Sequence, residues 1–119
     1  MTLTTLVIGA RASAREAAIA AAIESDVDTA LILEGLPGGS SPLDGITDSH
    51  PVHIARIAPG CPCCTGNLTM RVTLDRMLRR APSRLYISLA RDAHLDRLRD
   101  FLTRPPYDNL LVLTKDLHT

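Results

Sequence analysis

The stretch Leu3-Thr4-Thr5-Leu6-Val7-Ile8-Gly9 and the residues that follow it indicate the fold class of this chain. An apolar, β-rich run of this kind is typical of a strand that is covered on both faces of a sheet. A helix is predicted next, because Ser13 and Glu16 have the spacing of a capping box and alanines follow them. A buried strand followed by a helix is the repeating unit of α/β folds.

The same alternation continues along the 119 residues. Four further apolar runs are predicted to be strands, at 29–33, 52–57, 84–90 and 109–114. Two further helices are predicted, a long one that ends at Arg80 and a shorter one that Arg104-Pro105-Pro106 stops. We therefore predict one domain over 1–119, an α/β three-layer sandwich with a mostly parallel sheet of about five strands.

Two local features are predicted within this frame. The long helix is expected to carry an ion pair between Asp75 and Arg79 on its outer side. Its buried side is expected to consist of Met70, Leu74, Met77, Leu78 and Ala81. The segment from Leu36 to His50 is rich in glycine, proline and serine at its start, so it is predicted to be a surface loop.

The composition argues against several classes of partner. The formal net charge is zero, so no global field attracts nucleic acid or an anionic membrane. Aromatic residues make up 3% of the chain, which disfavours stacking on single-stranded nucleic acid. No apolar run approaches the roughly 18 residues of a membrane span, and the start of the chain lacks the layout of a signal peptide. We expect a cytoplasmic protein without nucleic-acid or membrane partners.

All three cysteines stand in one short stretch, Gly60-Cys61-Pro62-Cys63-Cys64. A turn built on proline and glycine can direct several sulfur atoms to one point, and thiolates suit Zn²⁺ or Cu(I). In a reducing compartment, clustered cysteines indicate a metal-binding or redox site rather than a disulfide framework. We predict that Cys61, Cys63 and Cys64 bind a transition metal, with zinc preferred. Because Cys61 and Cys64 also form a C-x-x-C, a redox function stays open.

Three thiolates leave a zinc site one ligand short, because structural zinc sites normally have four ligands. His50 and His53 precede the cysteines, and Glu34 ends the second predicted strand. The sequence leaves open whether one of these residues or a partner chain completes the site. An incomplete site also predicts a protein partner or a homodimer.

The Gly-Cys-x-Cys-Cys pattern at 60–64, after a strand and before a long helix, resembles the metal-binding motif of the CobW-like P-loop GTPases. These are metallochaperones and metal-insertion proteins. In that family the phosphate loop stands at the position of Gly9, and an acidic switch residue stands at the position of Glu34. The resemblance covers almost all of this chain but only about the first half of a CobW-like protein. It implies a P-loop NTPase-like fold and a role in metal delivery, storage or regulation. It also implies an alternative, a non-catalytic interaction module for a full-length CobW-like partner.

The phosphate loop of this chain is degenerate. The pattern G-x-x-x-x-G-K-[ST] is replaced by Gly9-Ala10-Arg11-Ala12-Ser13-Ala14-Arg15-Glu16. Arg15 stands in place of the lysine, and Glu16 stands in place of the hydroxyl that would hold Mg²⁺. The likeness of Thr114-Lys115-Asp116 to a guanine-reading motif is treated as coincidental, because the asparagine and the spacing are missing. We therefore expect no GTPase activity and no useful affinity for nucleotide.

Overall fold

A computed structural model of the protein describes residues 1–24, 26–35, 41–47, 51–57, 68–92 and 95–119. The strands are β1 (Thr2–Ile8), β2 (Thr29–Glu34), β3 (Val52–Ile57), β4 (Arg84–Leu89), β5 (Leu111–Leu113) and β6 (Leu117–His118). The helices are α1 (Ala12–Ala22), α2 (Asp44–Thr47), α3 (Leu68–Arg79) and α4 (Leu95–Leu102), and a short 3-10 helix covers Tyr107–Asn109.

The described strands form one sheet in which every neighbouring pair is parallel. The order is β3-β2-β4-β1-β5, and β6 also pairs with β1. Leu3 of β1 lies opposite Arg84 and Ile8 lies opposite Leu89, so β1 and β4 pair along their length. The predicted α/β fold with a mostly parallel sheet is therefore confirmed.

Side chains that alternate along the strands build a separate core on each face of the sheet. Ile8 of β1 belongs to the core that α3 and α4 cover, whereas Val7 belongs to the core on the side of α1 and α2. In the first core, Met70 and Leu74 come from α3, and Leu98 and Leu102 come from α4. In the second core, Ile19 comes from α1 and Leu43 directly precedes α2. Each fully buried aliphatic side chain contributes about 1.5–3 kcal/mol, so both helix layers are held by hydrophobic burial. Among the described helices, none combines the length and apolar character that crossing a membrane requires.

The end of α3 differs from its prediction. Met70, Leu74, Met77 and Leu78 are buried as predicted, but Ala81 is exposed and lies outside the helix. Ala81 has a φ of 50°, the left-handed conformation that commonly ends helices and usually belongs to glycine. Asp75 accepts a hydrogen bond from the hydroxyl of Tyr107 at 2.8 Å, and the described residues contain no ion pair between Asp75 and Arg79.

The segment between β2 and β3 is only partly the surface loop that its composition predicts. Residues 41–47 include α2, and both Ser41 and Leu43 are buried there. The prediction was wrong for this part, because Leu43 packs into the core beside Val7 and Ile19. Residues 36–40 and 48–50 lie outside the described part of the chain.

Candidate functional site

The carboxyl edge of the sheet contains a reversal in strand order between β1 and β4. Helix α1 leads from β1 to β2 on one side of this boundary, whereas α4 leads from β4 to β5 on the other. In parallel α/β sheets ligands bind in the crevice that forms at such a reversal. The side chains that lie at this position are therefore the first candidates for a function.

Arg15 of α1 fills this position with its own guanidinium group. Its Nε donates to the hydroxyl of Ser88 at 2.6 Å, and Nη2 donates to the carbonyl of Glu34 at 2.8 Å. Nη1 donates to the carbonyl of Gly9. These three acceptors belong to the carboxyl ends of β4 and β2 and to the residue that follows β1, so one side chain joins three strands.

The Arg15 guanidinium is a buried charge, with 2% of the residue exposed. Burial lowers the pKa of Arg15, and the negative charges of Glu34 and Glu16 act in the opposite direction. Arginine keeps its proton in proteins even under such conditions. The positive charge therefore persists inside the carboxyl edge, where protein acceptors and the two nearby carboxylates compensate for it.

Glu16, the next residue of α1, binds different partners on the α1 side of the sheet. Its carboxylate oxygens lie 3.0 and 3.3 Å from the two Nη atoms of Arg56, and the hydroxyl of Ser41 donates to Oε1. Burial, the largest single influence, acts to raise the pKa of Glu16. The hydrogen bonds from Arg56 and Ser41 and the charges of Arg56 and Arg15 together outweigh burial and lower that pKa. Glu16 is therefore ionised, and it ties α1 to β3 and to the segment before α2.

The capping box predicted for Ser13 and Glu16 was wrong. Helix α1 begins at Ala12 with Arg11 as its N-cap, and no side chain caps it. Only residues 9–11 connect β1 to α1, so Ser13 lies inside the helix and Glu16 lies one turn further along it. The positions that correspond to the lysine and hydroxyl of a phosphate loop thus carry groups that bind the protein itself.

The strand β6, which the sequence did not predict, adds a cover over the end of β1. Thr119 donates its backbone N–H to the carbonyl of Ile8 at 2.8 Å, and its hydroxyl donates to the same carbonyl at 3.2 Å. A Cβ atom at Gly9 would collide with the Thr119 hydroxyl, so a larger residue at this position would have to displace that side chain. The backbone at Ile8, directly before the degenerate loop, is therefore in contact with Thr119.

The predicted metal ligands Cys61, Cys63 and Cys64 lie outside the described residues, as does His50. The described residues on either side of this segment are Ile57, which ends β3, and Leu68, which begins α3. Within the described residues, no group of three or more histidine, cysteine, aspartate or glutamate side chains could hold a metal ion.

The structure separates the two described candidates for a fourth ligand. His53 is the second residue of β3 and lies 3.7 Å from Asp28, which precedes β2. About four residues, roughly 13 Å of strand, separate it from the end of β3 where the cysteine segment begins. Glu34 is 6% exposed and lies opposite Ile57 in the sheet register. Of these two residues, only Glu34 is at the edge from which the cysteine segment leaves.

Sequence reasoning identified Arg15 and Glu16 through their departure from the phosphate-loop pattern, but it missed Arg56, Ser41 and Ser88. One signal was available for Arg56, because this charged residue continues the alternating positions of Val52 and Ile54 in β3. Val52 and Ile54, on the same side of β3, pack against the core beneath α1. Ser41 and Ser88 offered no comparable signal.

Comparison with known proteins leaves the family of the chain unassigned. No family model, no curated protein and no solved structure matched it. The likeness to CobW-like proteins therefore depends on the motif at 60–64 and on the order of the strands and helices.

Proposed function

We propose that this chain is a transition-metal-binding domain in which Cys61, Cys63 and Cys64 hold Zn²⁺ through their thiolates. In this proposal the chain is a degenerate relative of the CobW-like proteins. It delivers, stores or regulates metal in the cytoplasm and has no GTPase activity. The observation that carries the proposal is where the cysteine segment attaches. It joins the end of β3 to the start of α3, and it therefore begins at the carboxyl edge of the sheet.

The charged side chains at this edge support a function without nucleotide. Three nitrogens of Arg15 donate to protein acceptors, and both oxygens of Glu16 receive hydrogen bonds from the protein. A triphosphate would have to displace these contacts and approach the buried carboxylate of Glu16. Breaking a buried ion pair costs about 3–5 kcal/mol, and this cost would weaken the binding of the triphosphate.

Glu34 is the best supported fourth ligand. A carboxylate can complete a tetrahedral zinc site beside thiolates. Glu34 is buried, and it lies opposite Ile57, the last described residue before the cysteines. His53 has no such support, because its position near Asp28 is at the other end of β3.

Metal analysis of protein purified under reductant and without chelator tests the proposal. We expect about one Zn²⁺ per chain, or one per pair of chains if a second copy completes the site. Replacing each cysteine in turn by serine should weaken Zn²⁺ binding by about tenfold or more, and His118→Ala, at an exposed strand end, is the matched control. Binding should also weaken as pH falls, because protons compete for the thiolates. If all three serine variants bind Zn²⁺ like the parent, the proposal is wrong.

Two further variants identify the fourth ligand. Glu34→Gln keeps the size of the side chain and removes the anionic oxygen, so it should weaken Zn²⁺ binding, whereas His53→Ala should not. If both variants bind as the parent does, the fourth ligand comes from elsewhere. A reduction potential of Cys61 and Cys64 near the cytosolic glutathione poise, with rapid thiol exchange, would favour the redox function instead.

A further inference from the structure

The zero net charge of the chain conceals an uneven distribution. Residues 68–104 contain nine arginines and four aspartates, whereas the whole chain contains 13 basic and 13 acidic residues. The excess is clearest at α3, where Arg71, Arg76 and Arg79 lie in the helix and Arg80 follows it, against the single carboxylate of Asp75. A protein that is neutral as a whole therefore has an excess of positive charge along α3.

The outer side of α3 combines this charge with an exposed apolar residue. Val72 is 45% exposed, and Arg76 and Arg79 are exposed on the same side of the helix. The three residues follow the spacing i, i+4, i+7, so they form one line of about 10 Å along the helix. The opposite side of α3 is occupied by the buried Met70 and Leu74. We refer to the line of Val72, Arg76 and Arg79 as the α3 ridge.

The arginines of the α3 ridge differ from three others in or near the helix layer of α3 and α4, which have partners. Arg99 forms an ion pair with Asp116, Arg104 pairs with Asp100 at 2.6 Å, and Arg71 lies 5.6 Å from the ring centre of Phe101. Among the described residues, Arg76 and Arg79 have no ion-pair partner. No described carboxylate therefore lies within ion-pair distance of either guanidinium.

We propose that the α3 ridge is the docking surface for an acidic amphipathic helix of a partner protein. Carboxylates of that helix pair with Arg76 and Arg79, and one of its apolar side chains covers Val72. Charge complementarity requires an anionic partner, and the straight ridge matches the i, i+4, i+7 spacing of a second helix. The exposed side chain of Val72 favours a protein partner over a nucleic acid. Protein interfaces combine an apolar centre with arginine, whereas contacts to phosphate use polar and basic groups.

A synthetic peptide tests this docking surface. The peptide is a helix of about five turns with leucine and glutamate repeating at i, i+4, i+7, and a scrambled peptide of the same composition is the reference. Fluorescence anisotropy should show that the striped peptide binds more tightly than the scrambled one and that added salt weakens the complex. Arg76→Glu combined with Arg79→Glu should weaken binding by about tenfold or more. Val72→Ser should weaken it by severalfold.

The matched control is Arg11→Glu combined with Lys115→Glu, two exposed positions away from α3. It changes the net charge by the same amount, and it should leave binding within about twofold of the parent. Circular dichroism verifies that each variant is folded. Equal loss in both double variants would show a general charge effect and overturn the proposal. Tighter binding of a short DNA duplex, unaffected by Val72→Ser, would overturn it in favour of a phosphate-binding surface. The absence of measurable binding to either probe would also overturn it.

Discussion

Arg56 of β3 and Glu16 of α1 form a two-point ion pair, with nitrogen–oxygen distances of 3.0 and 3.3 Å. Only 3% of the Glu16 side chain and 22% of the Arg56 side chain are exposed. The pair links α1 to the strand farthest from β1 on that side of the sheet, and Ser41 adds a third contact. This geometry allows the contribution of the pair to be measured by removing one partner at a time.

Arg56→Met should lower the free energy of unfolding by about 3 kcal/mol, because it leaves the Glu16 carboxylate buried without its cation. Denaturant unfolding followed by circular dichroism measures this change. Arg104→Met is the matched control, since Arg104 is 70% exposed in its pair with Asp100. The control should change stability by less than about 1 kcal/mol. Equal losses in the two variants would contradict the role assigned to Arg56.

The lowered pKa of Glu16 predicts an acid-dependent loss of stability. Burial acts to raise this pKa, but the hydrogen bonds from Arg56 and Ser41, together with the charges of Arg56 and Arg15, bring it below its ordinary value. The stabilising contribution is therefore complete well above the unfolded-state pKa of about 4.3, and it is lost as pH falls through the lower folded-state pKa. Glu16→Gln should be less stable than the parent at neutral pH and should lose less stability on acidification. Identical pH profiles for the two proteins would refute this.

Replacing Arg15 by lysine should destabilise the protein, although the positive charge is retained. A single ammonium group cannot reach the carbonyls of Gly9 and Glu34 and the Ser88 hydroxyl in the planar arrangement of a guanidinium. Each buried acceptor left without a donor costs about 1–3 kcal/mol. The free energy of unfolding is the readout. Lys115→Arg, at an exposed position, is the control and should have little effect. A stable Arg15→Lys variant would show that the three contacts are dispensable.

We expect neither GTP nor ATP to bind in the presence of Mg²⁺. The nitrogens of Arg15 are engaged by protein acceptors, and the carboxylate of Glu16 is bound to Arg56 and Ser41. A phosphate group would meet a negative charge where a phosphate loop offers a hydroxyl for the metal ion. Titration calorimetry is the direct measurement. A dissociation constant in the low micromolar range would contradict the expectation and favour a GTPase.

Tyr107 should make the protein sensitive to alkali. Burial, followed by the hydrogen bond and the charge of Asp75, raises the pKa of Tyr107 to about 12. Because this value lies above the unfolded-state pKa of about 10, stability should fall as pH rises from about 10 to 12. Tyr107→Phe should lack this part of the alkaline loss. Ultraviolet titration of the two proteins, together with unfolding at each pH, provides the measurement. A Tyr107 that titrates near pH 10 would argue against its burial.

Strands β1 and β2 were predictable because buried parallel strands contain continuous apolar runs, as in Leu6 to Ile8 and Leu31 to Leu33, whereas β3 was predictable from the alternation of Val52 and Ile54. The two-residue β6 and the four-residue α2 were not predictable. Elements of this length carry no periodicity, and they depend on contacts such as Thr119 with Ile8 and Leu43 with the second core.

The polar cluster at the carboxyl edge, which consists of Arg15, Glu16, Ser41, Arg56 and Ser88, could be predicted only in part from the sequence. Arg15 and Glu16 attracted attention because they replace residues of a known motif, but local rules assigned Glu16 to a capping box. Its partner Arg56 is 40 residues away in the sequence. Only the fold brings Glu16 and Arg56 together, and Glu16 then forms a two-point ion pair instead of capping the helix. The metal ligands Cys61, Cys63 and Cys64 stay a prediction from the sequence.

The position of β1 inside the sheet, between β4 and β5, has a consequence for synthesis of the protein. β1 leaves the ribosome before the other described strands, yet Leu3 pairs with Arg84 and Thr2 with Leu111. Its partners are translated about 80 to 110 residues later. Until then the apolar run through Leu6 and Ile8 has no neighbouring strand, and such exposed segments are prone to aggregation during folding. We therefore expect this small domain to fold only after nearly all of it has been translated and to benefit from chaperones that shield β1.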